Sequence, residues 1–111
     1  MNDVEEMISE LQNSNQQLQT IVMQKQALMI QNKEAEKALE EIEKCRDEDI
    51  YKSVGPILVR TSKETMKKEL LEEREETELK LKSLEKQETR IRQKMKTIQE
   101  KFQSMAGPAA G

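Results

Sequence analysis

The chain has 111 residues and a net charge of −3, with 34% hydrophobic and 37% charged residues. A typical globular domain is roughly 45–50% apolar and about 25% charged, so this sequence cannot fill a compact core. Strong helix formers dominate, and Gly and Pro interrupt the chain only at Gly55-Pro56 and near its end, which favours long helices over disorder.

The first predicted element is a helix over residues 3–45. From residue 4 onward, positions spaced alternately three and four residues apart are apolar in nine of twelve cases, and the spacing is never interrupted. This spacing is typical of a coiled-coil seam. Ser14, Lys25 and Asn32 interrupt this seam. Such polar residues fix the register and the number of helices at a cost in stability; alternatively, they loosen the seam so that the coil splays when it grips something.

The second predicted element is a β-hairpin over residues 50–61. Two runs rich in β-branched residues flank the turn signal Gly55-Pro56. A lone hairpin is marginal in water and has two unpaired edges, so we expect hairpins from several chains to pair into a shared sheet or barrel. A tight non-β connector is the alternative. The predicted oligomerisation residues are Ile50, Tyr51, Val54, Gly55, Ile57, Leu58 and Val59.

The third predicted element is a helix over residues 62–105, followed by a flexible tail at residues 106–111. The same steps from residue 70 visit eight apolar residues among eleven positions. Thr61 is the predicted N-cap of this helix, with Glu64 reaching back to complete a capping box.

The two seams match when the helices fold back on each other. Pairing positions whose numbers sum to 109 gives layers that include Val4–Met105, Leu18–Ile91 and Leu39–Leu70. Lys25 then lies one layer from Glu88, close enough for an ion pair. The sequence therefore predicts a mainly α fold, a single domain over residues 1–111, in which a long antiparallel two-helix coiled coil is joined by the central hairpin.

This fold places both chain ends at the tip of the coil, about 60 Å from the hairpin at roughly 1.5 Å of rise per residue. Helix ends fray, which exposes apolar side chains, and flexible Met side chains suit the binding of many unrelated apolar sequences. The alternative is that these side chains only form the last layers of the coil, which is equally plausible for Leu11 and Ile98. The tip residues predicted to bind non-native polypeptide are Val4, Met7, Ile8, Leu11, Ile98, Phe102 and Met105.

Several other functions find no support in the sequence. There is no His, so the single Cys45 has no His partner for catalysis, and no Gly-rich phosphate loop occurs; we therefore expect no catalytic residues, metal site or cofactor. The longest apolar run, residues 27–30, is far below the roughly 20 residues of a membrane span. Charges of both signs are interspersed, which argues against nucleic acid. A lone Cys and an acidic start without a signal-peptide profile favour the cytoplasm.

The central segment resembles the signature of β-class prefoldin subunits. The matching residues are Asp49-Ile50-Tyr51-Lys52-Ser53-Val54-Gly55, Ile57-Leu58-Val59 and Lys63-Glu64, with Lys37–Ile42 and Gln16–Gln19 also similar. The resemblance covers nearly the whole chain, and its single hairpin separates the β class from the α class. The compact chain and short tail look archaeal.

The resemblance implies a non-enzymatic chaperone subunit. Two α-type and four β-type subunits would form a hexamer whose hairpins build a β-barrel platform. Its coiled-coil tips would hold unfolded client proteins without ATP and pass them to a group II chaperonin. The competing interpretations are a structural coiled-coil scaffold and a prefoldin-like assembly factor without general chaperone activity.

Overall fold

The structure is a computed structural model that describes residues 3–46 and 49–106. Its elements in chain order are α1 (Asp3–Lys44), β1 (Asp49–Val54), β2 (Ile57–Ser62) and α2 (Lys63–Ala106). The predicted order of helix, hairpin and helix is therefore confirmed. The predicted flexible tail lies outside the described residues, except for Ala106 at the end of α2.

The described residues form two compact units, and both helices contribute to each. The terminal unit contains α1 up to Gln26 and α2 from Lys82 onward. The hairpin unit is the continuous segment Ala27–Leu81, which carries both strands.

The apolar seam predicted from the sequence is the packed face of both helices. All twelve predicted seam positions of α1 are buried or half-buried, and so are nine of the eleven in α2. The two exceptions are Phe102, which is 39% exposed, and Met105, which is 52% exposed. Both belong to the last predicted layers of the seam, where a side chain has neighbours on one side only.

Only a small number of apolar side chains are fully buried among the described residues. In the hairpin unit, Ala35, Ile42 and Leu70 form a cluster against which Leu39 and Met66 pack. In the terminal unit, Ile21 and Ile98 are each 6% exposed. This narrow core agrees with the low apolar content of the sequence.

The polar residues within the seam differ in the ion pairs and hydrogen bonds that they make. Lys25 Nζ lies 3.4 Å from Glu88 Oε1, with both side chains about one-fifth exposed, so the predicted ion pair is confirmed. Thr77 is 3% exposed and donates its hydroxyl hydrogen to the Glu73 carbonyl oxygen at 2.8 Å. The buried Oδ1 of Asn32 has no hydrogen-bond partner among the described residues.

Ion pairs along the border of the seam support the predicted pairing of the helices. Arg74 Nη2 lies 3.2 Å from Glu36 Oε1, and Lys67 pairs with Glu43. The numbers of each pair sum to 110, one more than the predicted seam pairs, as expected for residues that flank the seam.

The start of α2 differs by one residue from the prediction. The Ser62 hydroxyl oxygen accepts the Thr65 backbone N–H at 3.1 Å, so Ser62 is the N-cap and the prediction of Thr61 was wrong. β2 continues to Ser62, which pairs with Asp49, so Thr61 remains within the strand ladder. Both residue types are good caps, and the length of the strand decides between them.

Candidate assembly and client-binding surfaces

The hairpin turn depends on a glycine with a positive φ. Gly55 has φ of +56° and is followed by Pro56, whose ring fixes φ near −65°. Type I′ turns need a positive φ at both central residues, and type II′ turns need it only at the first. The turn is therefore of type II′, which matches the right-handed twist of the strands. It leaves Val54 and Ile57 paired with each other at the end of the hairpin.

The strand register sorts the side chains of the hairpin onto two faces. On one face lie the pairs Ile50–Thr61, Lys52–Val59 and Val54–Ile57. On the opposite face lie Asp49–Ser62, Tyr51–Arg60 and Ser53–Leu58. The first face carries four of the apolar residues predicted for oligomerisation, and the second carries Tyr51 and Leu58.

The face that carries Ile50 contacts the helices of the hairpin unit. Ile50 packs against the buried cluster around Ile42 and Leu70. Lys52 Nζ lies 3.1 Å from Glu69 Oε2, which ties the same face to α2. Lys63 Nζ donates to the Cys45 carbonyl oxygen at 3.1 Å and so satisfies a carbonyl just after the end of α1. These contacts fix the base of the hairpin.

The rest of the hairpin exposes large apolar side chains on both faces. The side chains involved are Tyr51 (63% exposed), Val54 (47%), Ile57 (58%), Leu58 (71%) and Val59 (42%). The sheet contains only β1 and β2 among the described residues, so the outer edge of each strand offers unpaired N–H and C=O groups. An apolar sheet with open edges is suited to pairing with strands of other chains.

The terminal unit brings several predicted tip residues together. Met7, Ile98 and Met105 line one open groove of about 450 Å³. Acidic side chains of α1, including Glu6 and Glu10, lie along it together with Lys101 of α2. The groove is thus lined by apolar side chains together with charged side chains of both signs.

The predicted tip residues differ in accessibility. Ile8 is 44% exposed, and Phe102 and Met105 are also exposed. Val4, Met7 and Leu11 are half-buried. Ile98 is only 6% exposed, so within this chain its side chain packs as a layer of the seam. The most accessible tip surface is therefore formed by Ile8, Phe102 and Met105.

The sequence analysis missed other exposed apolar side chains on the helices. Met23 is 70% exposed, Ile30 60% and Leu79 62%. All three lie outside the three-four seam, and this position off the seam was the feature of the sequence that could have identified them as exposed. Single exposed apolar residues are common on protein surfaces, so exposure by itself does not single out the tip.

Across residues 3–46 and 49–106, no group of three or more His, Cys, Asp or Glu side chains is arranged to hold a metal ion. Neither described helix contains a window apolar enough to cross a bilayer.

Comparisons with known proteins agree on one family. A family profile described as "Prefoldin subunit" matches residues 5–109. The chain is 41% identical over 109 residues to a protein named "Prefoldin subunit beta" from Thermococcus onnurineus, covering 97% of this chain and 94% of that one. It is 43% identical over 110 residues to the protein of the same name from Pyrococcus furiosus, with the same coverage. The crystal structure of the prefoldin beta subunit from Thermococcus strain KS-1 superposes with a TM-score of 0.85 at 39% identity, covering 95% of this chain and 93% of that one.

Proposed function

Because this chain belongs to the prefoldin family and matches its β-type subunits over nearly its whole length, we propose that it is a subunit of a chaperone that holds unfolded proteins without ATP. The chain acts by binding and carries out no catalysis. The observation that carries the proposal is the hairpin, whose five large exposed apolar side chains and open strand edges need other chains to cover them.

The hairpin is the assembly surface in this proposal. Hairpins of this chain and of an α-type subunit pair edge to edge into a β-barrel, in a hexamer of two α-type and four β-type subunits. Because these side chains are about half exposed in the single chain, burying them contributes about 1–2 kcal/mol for each large residue. The anchored base around Ile50 supports this role because it presents the remaining hairpin residues to a partner in a defined orientation.

Client proteins bind at the predicted tip residues of the terminal unit, of which Met7, Ile98 and Met105 line the groove. Each exposed side chain, such as Phe102 or Met105, contributes a weak apolar contact of about 1–2 kcal/mol. Useful affinity comes from several subunits that hold one client together. The half-buried Met7 adds a flexible side chain that adapts to unrelated sequences.

The last step of the proposed function is transfer of the client to a group II chaperonin, which rests on the family resemblance. We expect the complex to work in the cytoplasm, where the single Cys45 stays reduced.

The test uses the full chain assembled with an α-type subunit. We expect this complex to keep a chemically unfolded enzyme soluble without ATP, measured by light scattering. Replacing the accessible tip residues, with Ile8→Ser, Phe102→Ser and Met105→Ser, should remove most of this protection while the mass of the complex stays unchanged.

A matched control removes exposed apolar side chains outside the proposed site. The substitutions Met23→Ser, Ile30→Ser and Leu79→Ser remove side chains that are more exposed than those at the tip, and protection should remain near the wild-type level. Equal loss in both variants would rule out a tip site. If the wild-type complex gives no protection at all, a structural scaffold or a dedicated assembly factor becomes the better assignment.

A further inference from the structure

The charges of α2 are strongly segregated along the helix. Residues 69–78 contain six Glu and a single cation, Arg74. Residues 82–101, in the terminal unit, contain seven Lys or Arg and three Glu, which leaves a net charge of +4. The interspersed charge expected from whole-chain counts therefore does not hold along this helix.

Five cations of this segment form what we call the α2 basic face. They are Lys82, Lys86, Arg90, Lys94 and Lys96, and all five are exposed. None of them makes an ion pair with any residue that the structure describes, whereas the neighbouring Arg92 pairs with Glu88 at 3.8 Å. A shallow surface groove of about 420 Å³ runs beside three of them, Lys82, Lys86 and Arg90, and contains a single carboxylate, that of Glu85.

The sequence of α1 explains why these cations lack partners. No Asp or Glu occurs between Glu10 and Glu34, so the part of α1 that runs through most of the terminal unit offers no carboxylate to α2. In the hairpin unit the situation is reversed, since Glu36 and Glu43 of α1 pair with Arg74 and Lys67 of α2.

The spacing of the basic face works against helix stability. Lys82, Lys86, Arg90 and Lys94 follow each other at intervals of four residues, and like charges at this spacing repel each other on a helix. An arrangement that disfavours the free helix and has no ion-pair partner among the described residues indicates a surface that is neutralised by something else.

We propose that the α2 basic face binds a carboxylate-rich segment of a partner protein. Lys82 to Lys96 span about 21 Å at roughly 1.5 Å per residue, the length of about six residues of an extended peptide at roughly 3.3 Å each. Residues 82–101 contain no aromatic side chain, so the face lacks the stacking groups with which proteins hold single-stranded nucleic acid. An acidic peptide is therefore the better fit. This binding site is independent of the proposed client-binding groove.

The experiment measures binding of a fluorescent twelve-residue peptide of alternating Glu and Ser to the assembled complex by anisotropy. We expect affinity that falls with rising salt. The substitutions Lys82→Gln, Lys86→Gln and Arg90→Gln should weaken binding about tenfold, as expected for three exposed charge pairs. Gln is as good a helix former as Lys or Arg, and the loss of like-charge repulsion should leave the melting temperature equal or higher.

The matched control is Lys33→Gln, Lys37→Gln and Lys68→Gln, which removes three exposed Lys residues and changes the net charge equally. It should retain wild-type affinity for the peptide. Absence of peptide binding at low salt, or equal loss in the two variants, would overturn the proposal. Tighter binding of a single-stranded RNA of equal charge, sensitive to the same substitutions, would overturn it in favour of nucleic acid. Client protection should be unchanged in both variants, which separates this site from the tip.

Discussion

At the scale of single residues, the junction between the helices and the hairpin is held by a small set of polar contacts. The Ser62 hydroxyl oxygen accepts the Thr65 N–H and so caps α2, and the Ser62 hydroxyl donates to the Thr65 hydroxyl oxygen, 2.7 Å away. Lys63 reaches the Cys45 carbonyl oxygen, and Lys67 reaches Glu43. These two contacts join the end of α1 to the start of α2.

The pair of Glu43 and Lys67 gives a prediction about pH. The hydrogen bond from Lys67 and its positive charge hold the pKa of Glu43 below the ordinary value of 4.5. Because the folded state favours the ionised carboxylate, the stabilising contribution of Glu43 is fully present above pH 4.5 and is lost as the pH falls through the lowered pKa. Both side chains are well exposed, so salt screens the effect.

We therefore expect Glu43→Gln to lower the melting temperature slightly at pH 7 and to have little effect at pH 3, measured by circular dichroism on the assembled complex. Glu40→Gln, one turn away and outside any described ion pair, should behave like the wild type at both pH values. A deficit of Glu43→Gln that persists unchanged at pH 3 would contradict the role of the charge.

At the scale of elements, the regular parts of the fold were predictable because they repeat. A seam that recurs every three or four residues identifies packed helix faces without knowledge of the partner helix, and Gly55-Pro56 marks the turn on its own chemistry. The predicted N-cap was wrong by one residue because the adjacent residues Thr61 and Ser62 are both suitable caps. Ile8 lies off the seam and is exposed, and Ile98 lies on it and is buried, in agreement with the pattern. The exposure of the seam residues Phe102 and Met105 does not follow from periodicity, which does not show how far packing continues toward the helix ends.

The seam of the hairpin unit contains an unfavourable element that can be tested. The buried Oδ1 of Asn32 has no hydrogen-bond partner in the described part of the chain, and a buried acceptor without a partner costs about 1–3 kcal/mol. Replacing it with Leu removes this cost and adds apolar surface to the seam. We expect Asn32→Leu to stabilise the assembled protein by about 1–2 kcal/mol, measured as an increased midpoint of urea unfolding.

The control for this substitution is Gln31→Leu, on the exposed side of the same helix turn, where Gln31 bonds to Glu73 at 2.9 Å. It should give no gain in stability. Destabilisation by Asn32→Leu would show instead that Asn32 is needed in the seam, as a polar residue that fixes the register of the helices.

At the scale of the whole molecule, the small amount of buried apolar surface makes the proposed assembly part of stability. Only five apolar residues are buried to about nine-tenths or more among the described residues, namely Ile21, Ala35, Ile42, Leu70 and Ile98. The hairpin alone exposes five large apolar side chains, one more than this core contains, since the fifth core residue is Ala35. Chains with so little buried surface are marginally stable alone, and binding of partner chains to the folded form adds stability by mass action.

The hairpin faces allow this dependence to be tested directly. Tyr51 and Leu58 lie on the face opposite Ile50 and are 63% and 71% exposed, so Asp at these positions costs little in the single chain. In an assembled sheet the same carboxylates would be buried against apolar neighbours, at a cost of several kcal/mol for each unpaired charge. We expect Tyr51→Asp with Leu58→Asp to prevent assembly with an α-type subunit, seen by native mass spectrometry as a fall to the mass of the single chain.

The matched variant carries Met23→Asp and Leu79→Asp, at helix positions that are 70% and 62% exposed. It adds the same charge without touching the hairpin, so the complex should keep its full mass. Because the proposed assembly stabilises the fold, the hairpin variant should have a lower melting temperature that no longer depends on protein concentration. The melting temperature of the helix variant should still depend on protein concentration. A hairpin variant that still assembles at full mass would remove the hairpin from the interface, and the proposed chaperone function would then lose its main support.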